Sequence, residues 1–337
     1  MNDPIRVCLI LEGSYPFITG GVSAWVQDLI LGLPGIEFSL FTISPKEDQE
    51  LRYKLPPNVM EHRDIVLKDS GKRGRPEKIR RRAKTLFVKN LLQFHRNITE
   101  AKFSRQDIFS QLEDNGELYL EAANSRAGWD LLRRTNAEKN PIYPFADYFW
   151  AWSSAHYMIF KVISAAAPKA DIYHAISTGF AGLAGLKASF RFGRPLLLTE
   201  HGLYHKEREM EIRKSDYVRG YQRDMWINLY NTLSRLTYSR ADRITALFEE
   251  NRQKQIELGA LPDKCLVIPN GIDIKKFTVE RRKKPGFHIG LVGRVVPIKD
   301  IKTFILAAKI VHDAVPEARF YCIGPTDEDP AYYNDCR

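Results

Sequence analysis

The chain has 337 residues, of which 44% are hydrophobic and 27% charged, an ordinary composition for a protein that buries one large core or two smaller ones. No apolar run reaches the roughly eighteen residues of a membrane-spanning helix, and the first residues lack the pattern of a secretory signal. The four cysteines form no CxxC pair, so the composition indicates a reduced, cytoplasmic protein and not a disulfide-stapled one.

The net charge of +10 is concentrated in one segment. Residues 68–90 carry ten Lys or Arg and two Asp or Glu. Such a run can bind nucleic acid or an anionic membrane surface, but it is more often a solvated helix face or an exposed loop. No aromatic side chains alternate with its arginines, so the second interpretation is favoured.

The first elements in chain order form a βαβ unit. Arg6–Leu11 is rich in β-forming residues and continuously apolar at its end, like a strand covered on both faces. From Val22 to Leu33 the apolar residues recur at helical spacing, and 37–43 reads as a second strand. A strand, a helix and a strand within about forty residues predict a parallel sheet.

Residues 44–150 interrupt this alternation. They are charged and mostly helical in composition, and we predict that they are an insertion into the first domain. Strands are predicted again at 171–175, 195–202, 242–247 and 265–271, with helical segments between them.

A second α/β unit is predicted after a charged linker. The first domain spans 1–273, the linker 274–286 and the start of the second domain 287–337. In the second domain, 287–294 reads as a strand, the segment from Ile301 as a helix and 318–324 as another strand. About fifty residues are fewer than a doubly wound domain usually needs.

Two loops of the first domain are candidates for ligand binding, because ligands of open parallel sheets lie beyond the carboxyl ends of the strands. Gly20 and Gly21 precede a helix, where backbone amides and the helix dipole favour an anion. They could equally form a simple turn, and the loop does not contain the GxGxxG of a dinucleotide site.

His201 follows an apolar strand and could donate a hydrogen bond to a sugar hydroxyl, although a lone histidine is usually structural. His205 is four residues further on, as in a zinc helix, but the sequence HGLYH lacks the glutamate of HExxH. No third ligand is evident, so we predict no metal site.

Two further loops lie at the domain junction and in the second domain. Asn270-Gly271 is a common turn pair whose position makes it informative. Arg294 and Lys299 span a strand-to-helix loop and could bind one diphosphate near the helix N-terminus, or could be two solvated cations.

The order and spacing of these features resemble the GT-B glycosyltransferases of family 4, a retaining, metal-independent group. The matching residues are Gly20-Gly21, His201, Pro269-Asn270-Gly271-Ile272-Asp273, and Arg294 with Lys299. The resemblance implies an α/β, GT-B fold of two Rossmann-like parallel-sheet domains, with the acceptor side on the first and the donor nucleotide on the second.

Longer stretches are similar to the PelF-type glycosyltransferases of Pel exopolysaccharide synthesis. These are LILEGSYPFITGGVSAWVQDLI, LTEHGLYHKEREMEI and CIGPTDEDPAYYNDCR. The family's Glu-x7-Glu motif, which binds the ribose and the donor sugar, has no counterpart before Arg337, and the acidic 326–330 lies on an earlier loop. We therefore expect the second domain to be incomplete in this chain and the segment alone to be inactive.

The resemblance implies transfer of a hexose from a nucleotide-diphosphate sugar, with UDP expected, to a growing exopolysaccharide. Arg294 and Lys299 would stabilise the leaving diphosphate, and His201 would hold the donor sugar. The departing phosphate oxygen would take the acceptor proton, so no dedicated base is required. The implied substrate-binding residues are Gly20, Gly21, Asn270, Gly271 and Gly293.

The same resemblance implies no cofactor and no metal, since the nucleotide sugar is a substrate. The implied partners are a glycan acceptor and inner-membrane polysaccharide synthase components, and no nucleic acid. The implied location is cytoplasmic, with a peripheral position at the inner membrane left open.

Three other functions stay open at this point. A nicotinamide-dependent oxidoreductase shares the sheet type, but the GxGxxG and an acidic residue ending the second strand are absent. A non-catalytic binding or scaffold subunit of a polysaccharide synthase would fit an incomplete second domain. A nucleic-acid binder acting through 68–90 would show a steep salt dependence.

Overall fold

The computed structural model describes residues 3–67, 126–138, 144–215, 218, 220–278 and 286–337, so the basic segment 68–90 lies outside the described residues. The chain divides into two compact units, Met1–Gly271 and Ile272–Arg337. The division falls within the PNGID sequence that was predicted to mark a domain junction.

The first unit contains a seven-stranded sheet in which every neighbouring pair is parallel. Its strands are β1 (Arg6–Glu12), β2 (Glu37–Ser44), β3 (Val59–Val66), β4 (Ile172–Ala175), β5 (Leu196–Glu200), β6 (Arg243–Ala246) and β7 (Cys265–Val267). The spatial order is β3-β2-β1-β4-β5-β6-β7, so the direction of winding reverses between β1 and β4.

Helices connect most of these strands, as expected for parallel pairs, which need crossover connections. They are α1 (Gly21–Gly32), α2 (Arg126–Glu138), α3 (Phe145–Ser164), α4 (Phe180–Phe192), α5 (Tyr204–Lys214), α6 (Gly220–Arg240) and α7 (Glu249–Glu257). Among the described helices of the chain, none is both long and apolar enough to cross a bilayer.

The core lies on both faces of the sheet, and β1 shows why. Leu9 and Leu11 pack in one cluster with Val26 of α1, whereas Cys8 and Ile10 join a second cluster with α3, α4 and α6. Successive side chains of a strand point to opposite faces, so a strand covered on both sides must be apolar throughout. The continuous apolar run of β1 is therefore confirmed as a central strand.

One strand was not predicted. Val59–Val66 forms β3, which pairs with β2 and lies inside the stretch 44–150 that was interpreted as a mostly helical insertion. It was missed because β3 is an edge strand in which half of the residues are polar and only Ile65 is buried. The stretch 44–150 also contains the first residues of α3, which starts at Phe145 and packs in the core.

The second unit contains a two-stranded parallel sheet of β8 (His288–Val292) and β9 (Arg319–Ile323). Its helices are α8 (Ile274–Phe277), α9 (Ile301–Ala314) and α10 (Pro330–Cys336). The predicted strand, helix and strand from 287 to 324 are thus confirmed. The predicted linker starts with the short helix α8, whose first turn Asp273 caps by accepting a hydrogen bond from the Lys275 amide.

The loops that follow β8 and β9 are held against each other by backbone hydrogen bonds. The Gly293 amide donates to the Ile323 carbonyl at 2.9 Å, and the Val295 amide donates to the Pro325 carbonyl at 3.0 Å. This approach requires a glycine, because a Cβ on Gly324 would lie 1.9 Å from the Gly293 carbonyl oxygen.

We expect Gly324→Ala to destabilise the second unit by about 1–3 kcal/mol, the usual cost of overpacking. The measurement is hydrogen exchange of the β8 and β9 amides in the full chain, which should become faster. Gly290→Ala is the matched control, because a Cβ there would meet nothing within 4 Å. Equal exchange in the two variants would contradict the close approach.

Candidate functional site

The reversal of strand order between β1 and β4 selects one edge of the sheet as the candidate site. In open parallel sheets the carboxyl ends of the strands at such a point form a crevice that binds ligands. The chain leaves β1 through 13–20 into α1, leaves β4 through 176–179 into α4, and leaves β5 through 201–203 into α5.

The loop after β1 is anchored to the protein. The Gly13 amide donates to the Ile43 carbonyl at 3.0 Å, and Gly13 has a φ of 58°, a left-handed conformation that favours glycine. Tyr15 of this loop is fully buried, and its hydroxyl donates to Gln27 Oε1 at 2.7 Å. The start of α1 is therefore presented by a fixed loop.

The first turn of α1 presents backbone amides that have no acceptor. Gly20 caps the helix without a side-chain hydrogen bond, and the N–H groups of Gly21, Val22 and Ser23 find no partner among the described residues. Helix N-termini of this kind carry a partial positive charge and favour anions.

Neither glycine at this helix start is required by the fold. Gly20 has a φ of 173°, which any residue adopts, and Gly21 is helical. A Cβ on either glycine would meet nothing within 4 Å. Their effect is to leave the space in front of the amides open, which is what a ligand that approaches the backbone closely needs.

His201 lies beside the same helix. Its imidazole packs edge-on against the indole of Trp25, with ring centroids 4.7 Å apart. Burial lowers the pKa of His201 below its ordinary value of 6.5, so the ring is neutral at pH 7. Its Nε2 is buried and has no hydrogen-bond partner among the described residues, so its hydrogen-bonding capacity is unused in the structure.

The two histidines of HGLYH do not share a helix, because α5 begins at Tyr204 and contains only His205. Within the described ranges, no group of three or more His, Cys, Asp or Glu side chains could hold a metal ion.

Two carboxylates that the sequence analysis did not single out tie these loops together. Glu12, at the end of β1, accepts hydrogen bonds from the amides of Phe180 and Ala181 at the start of α4. Glu200, at the end of β5, is 1% exposed and accepts from Thr178 Oγ1 at 3.1 Å. It also accepts from the Tyr238 hydroxyl and from Gln255 Nε2.

Tyr204 joins the two carboxylates. Its hydroxyl donates to Glu12 Oε1, and its backbone amide donates to Glu200 Oε1 at 3.4 Å. The ring lies so close to Gly179 that a Cβ there would be 2.2 Å from Tyr204 Cζ. A charged residue directly after a buried strand, as in LEGS and TEHG, was the available sequence signal for this network.

The remaining predicted residue pair of the first unit is not part of this network. Asn270 and Gly271 are exposed and follow β7, at the end of the first unit. Among the described residues, no side-chain hydrogen bond or ion pair involves either of them, so their role as substrate contacts stays a prediction.

In the second unit, Arg294, Lys299 and Gly293 lie together in the loop after β8. The stem of Lys299 covers Gly293, where a Cβ would lie 3.8 Å from Lys299 Cδ. Arg294 Nη1 donates to both carboxylate oxygens of Glu328 at 2.6 Å. The acidic 326–330 thus supplies a partner for Arg294, which the sequence analysis did not anticipate.

The N-terminus of α9 differs from the expectation that an anion would bind there beside Arg294 and Lys299. Asp300 caps this helix, and its Oδ1 accepts a hydrogen bond from the Thr303 amide at 3.4 Å. The N-terminus of α9 therefore already carries the carboxylate of Asp300. Any phosphate bound in this loop would have to be held by the side chains of Arg294 and Lys299.

A family model described as "Domain of unknown function (DUF3492)" matches residues 5–263, which is most of the chain. The chain belongs to this family. The match ends before the second unit and includes the whole seven-stranded sheet except its last strand. No curated protein matches the chain by sequence.

Solved structures with a similar fold include HepE of Anabaena in complex with UDP, with 13% identity and a TM-score of 0.50. That alignment covers 98% of this chain and 64% of HepE. Sucrose-phosphate synthase of Thermosynechococcus elongatus gives 13% identity, a TM-score of 0.48 and coverage of 99% of this chain and 65% of that one. The chain thus spans slightly less than two thirds of these proteins, and the predicted GT-B type of α/β fold is confirmed.

The burial of Glu200 predicts a pH dependence of stability. Burial raises the pKa of Glu200 above its ordinary value of 4.5, and only uncharged groups donate to it. The protonated form is thus favoured in the fold, and stability is lost as pH rises from 4.5 through the folded-state pKa. The slope for one such group is about 1.4 kcal/mol per pH unit.

We therefore expect Glu200→Gln to remove this loss, so that the free energy of unfolding of the variant depends less on pH than that of the unmodified protein. Urea unfolding between pH 5 and 8 measures the difference. Glu250→Gln, at an exposed position of α7, is the control. Parallel curves for Glu200→Gln and the unmodified protein would show that Glu200 stays ionised in the fold.

Proposed function

We propose that the protein is a glycosyltransferase that moves a hexose from a nucleotide-diphosphate sugar, with UDP as the nucleotide, to a glycan acceptor. The observation that carries this proposal is the open, unpaired amide cluster at the start of α1 beside the neutral imidazole of His201. The structural similarity to HepE, which was solved with UDP bound, supports the nucleotide.

The amides of Gly21, Val22 and Ser23 would donate to a diphosphate or acceptor oxygen. Donors fixed before the reaction begins stabilise charge that develops in the transition state, because they need no reorganisation. The rigid loop that presents α1 provides this fixation. An ammonium or guanidinium is not required here, since the helix start itself supplies the positive potential.

His201 would hold a hydroxyl of the donor sugar through Nε2. A neutral imidazole can donate or accept one hydrogen bond at this atom, depending on its tautomer. Because burial keeps the ring neutral, it can bind a hydroxyl without placing a charge beside the reacting carbon. Its contribution would be to hold the donor sugar in the geometry in which the reaction occurs.

Arg294 and Lys299 would bind the diphosphate and stabilise it as it leaves. In the structure, Glu328 satisfies the guanidinium of Arg294, and a diphosphate would have to replace or share this partner. Lys299 is exposed and has no ion pair among the described residues. Gly293 and the Asn270-Gly271 turn are proposed substrate contacts.

The finer assignment is to the PelF-type glycosyltransferases of family 4, which would make the acceptor a growing exopolysaccharide. In that assignment the reaction retains the anomeric configuration and the phosphate oxygen takes the acceptor proton, without a metal or another cofactor. The partners would be the inner-membrane components of the polysaccharide synthase, reached from the cytoplasm.

The test of the function is a screen of nucleotide sugars against the full-length gene product, with thermal shift for binding and product analysis for transfer. We expect a UDP-sugar to raise the melting temperature and to be consumed when an acceptor glycan is present. Stabilisation by NAD(H) in place of UDP-sugars would favour an oxidoreductase. Binding without consumption would favour a non-catalytic subunit.

Gly21→Val is expected to reduce transfer by about 100–1000-fold, the usual effect of losing one preorganised donor. The new side chain would fill the open space in front of the amides, but it would meet no protein atom within 4 Å at its Cβ. The fold should therefore survive, and the measurement is the initial rate of transfer at equal folded protein.

The matched control for this variant is Gly32→Val, at the other end of the same helix, where a Cβ also meets nothing within 4 Å. Both variants place the same β-branched residue in an open position of α1. A rate near that of the unmodified protein in Gly21→Val would remove the amide cluster from the mechanism.

A further inference from the structure

Trp25 contacts two histidines at the candidate site. Its indole is 4.7 Å from the ring of His201 with an interplanar angle of 74°, and 6.2 Å from the ring of His174 with an angle of 88°. Both are edge contacts, the arrangement that aromatic pairs favour over face-to-face stacking. The indole thus contacts both rings from one position on α1.

The ring of His174 is fixed by hydrogen bonds. Its Nε2 pairs with Thr199 Oγ1 at 2.8 Å, and Thr199 Oγ1 pairs with Thr245 Oγ1 at 2.6 Å. This chain of side chains crosses β4, β5 and β6. Burial and the nearby His201 lower the pKa of His174 to about 3, so the ring is neutral. His174 therefore forms a rigid, uncharged wall beside the indole.

The ring of His201 has no such fixation. Neither of its nitrogens makes a hydrogen bond with any residue that the structure describes, and its Nε2 is buried. Imidazole rings that bind a ligand are normally oriented through the nitrogen that the ligand does not use. At His201 the aromatic contact with Trp25 takes the place of that hydrogen bond.

The position of Trp25 along α1 links this contact to the amide cluster. Gly21 begins the helix, and Trp25 follows four residues later, about one turn on. Val26 and Ile30 of the same helix are fully buried against the sheet, so the helix cannot shift without disturbing the core. One rigid element therefore carries both the free amides and the indole.

We infer that Trp25 is a positioning residue that orients the imidazole of His201 and fixes its distance from the amides at the start of α1. Its effect on turnover rests on the proposed function, whereas its effect on the state of the His201 ring does not. A histidine is more often oriented by a hydrogen bond to one of its ring nitrogens. At His201 this role would fall to the contact with Trp25, whose indole also packs against His174.

The first test is independent of any reaction. In the full chain labelled with 15N-histidine, the His201 signal is identified by its loss in His201→Gln and followed from pH 4 to 8. We expect Trp25→Leu to raise the pKa of His201 toward its ordinary value of 6.5 and to change its tautomer balance, because the ring gains water. Trp25→Phe, which keeps an aromatic ring, should show a smaller change.

An unchanged His201 pKa and tautomer balance in Trp25→Leu, with the fold intact by circular dichroism, would overturn the inference. Trp150→Leu is the matched control, since Trp150 is 56% exposed on α3 and its ring contact is with Phe149. If Trp25→Leu does not fold, Trp25→Met is followed through the same signal, and an unchanged His201 pKa and tautomer balance there would overturn the inference.

The second test uses turnover of a UDP-sugar by the full-length protein. We expect Trp25→Leu to lower kcat by about 100-fold and to change KM little. A reduction of this size is typical when a positioning group is displaced by about 1 Å. Trp25→Phe should restore most of the rate. A kcat equal to that of the unmodified protein would overturn the inference, whereas no turnover by the unmodified protein would contradict only the proposed function.

Discussion

The arrangement of the first unit depends on two carboxylates buried where strands end. Glu200 accepts hydrogen bonds from the loop after β4 and from α5, α6 and α7, and Glu12 accepts from the start of α4. Tyr204 connects them. A buried carboxyl without its donors would cost several kcal/mol, so these loops cannot separate independently. The carboxyl edge of the sheet is held as one assembly, and its geometry is fixed before any ligand arrives.

This rigidity explains how a site can be built from backbone amides and one histidine. Charge stabilisation by fixed dipoles works only if they do not reorient during the reaction. The loop after β1 is anchored by buried Tyr15, and α1 is anchored by Val26 and Ile30. The proposed chemistry therefore needs few charged side chains in the first unit. In the second unit, the loop that carries Arg294 and Lys299 is held against the loop after β9, an approach that depends on Gly324.

Local pattern was sufficient for most of the fold. Apolar runs identified the central strands, since most positions of a strand covered on both faces are apolar, and helical spacing identified α1 and α9. β3 was missed because an edge strand with one solvated face has a composition that also suits a charged helix. Gly20, Gly21 and His201 could be proposed as site residues because glycines at a strand-to-helix turn and a histidine after a strand are local signals.

Sequence by itself thus determined the alternation of strands and helices, the open turn before α1 and the candidate residues. Only the tertiary structure decided which of them meet. Trp25 reads as one more apolar residue of a helical stripe, and its contact with His201 joins elements far apart in the chain. Glu12 and Glu200 read as ordinary loop acids, and their hydrogen-bond donors come from helices α4, α5, α6 and α7 and from the loop after β4. Pairings of this kind depend on the order of strands in space, which the spacing of residues along the chain does not encode.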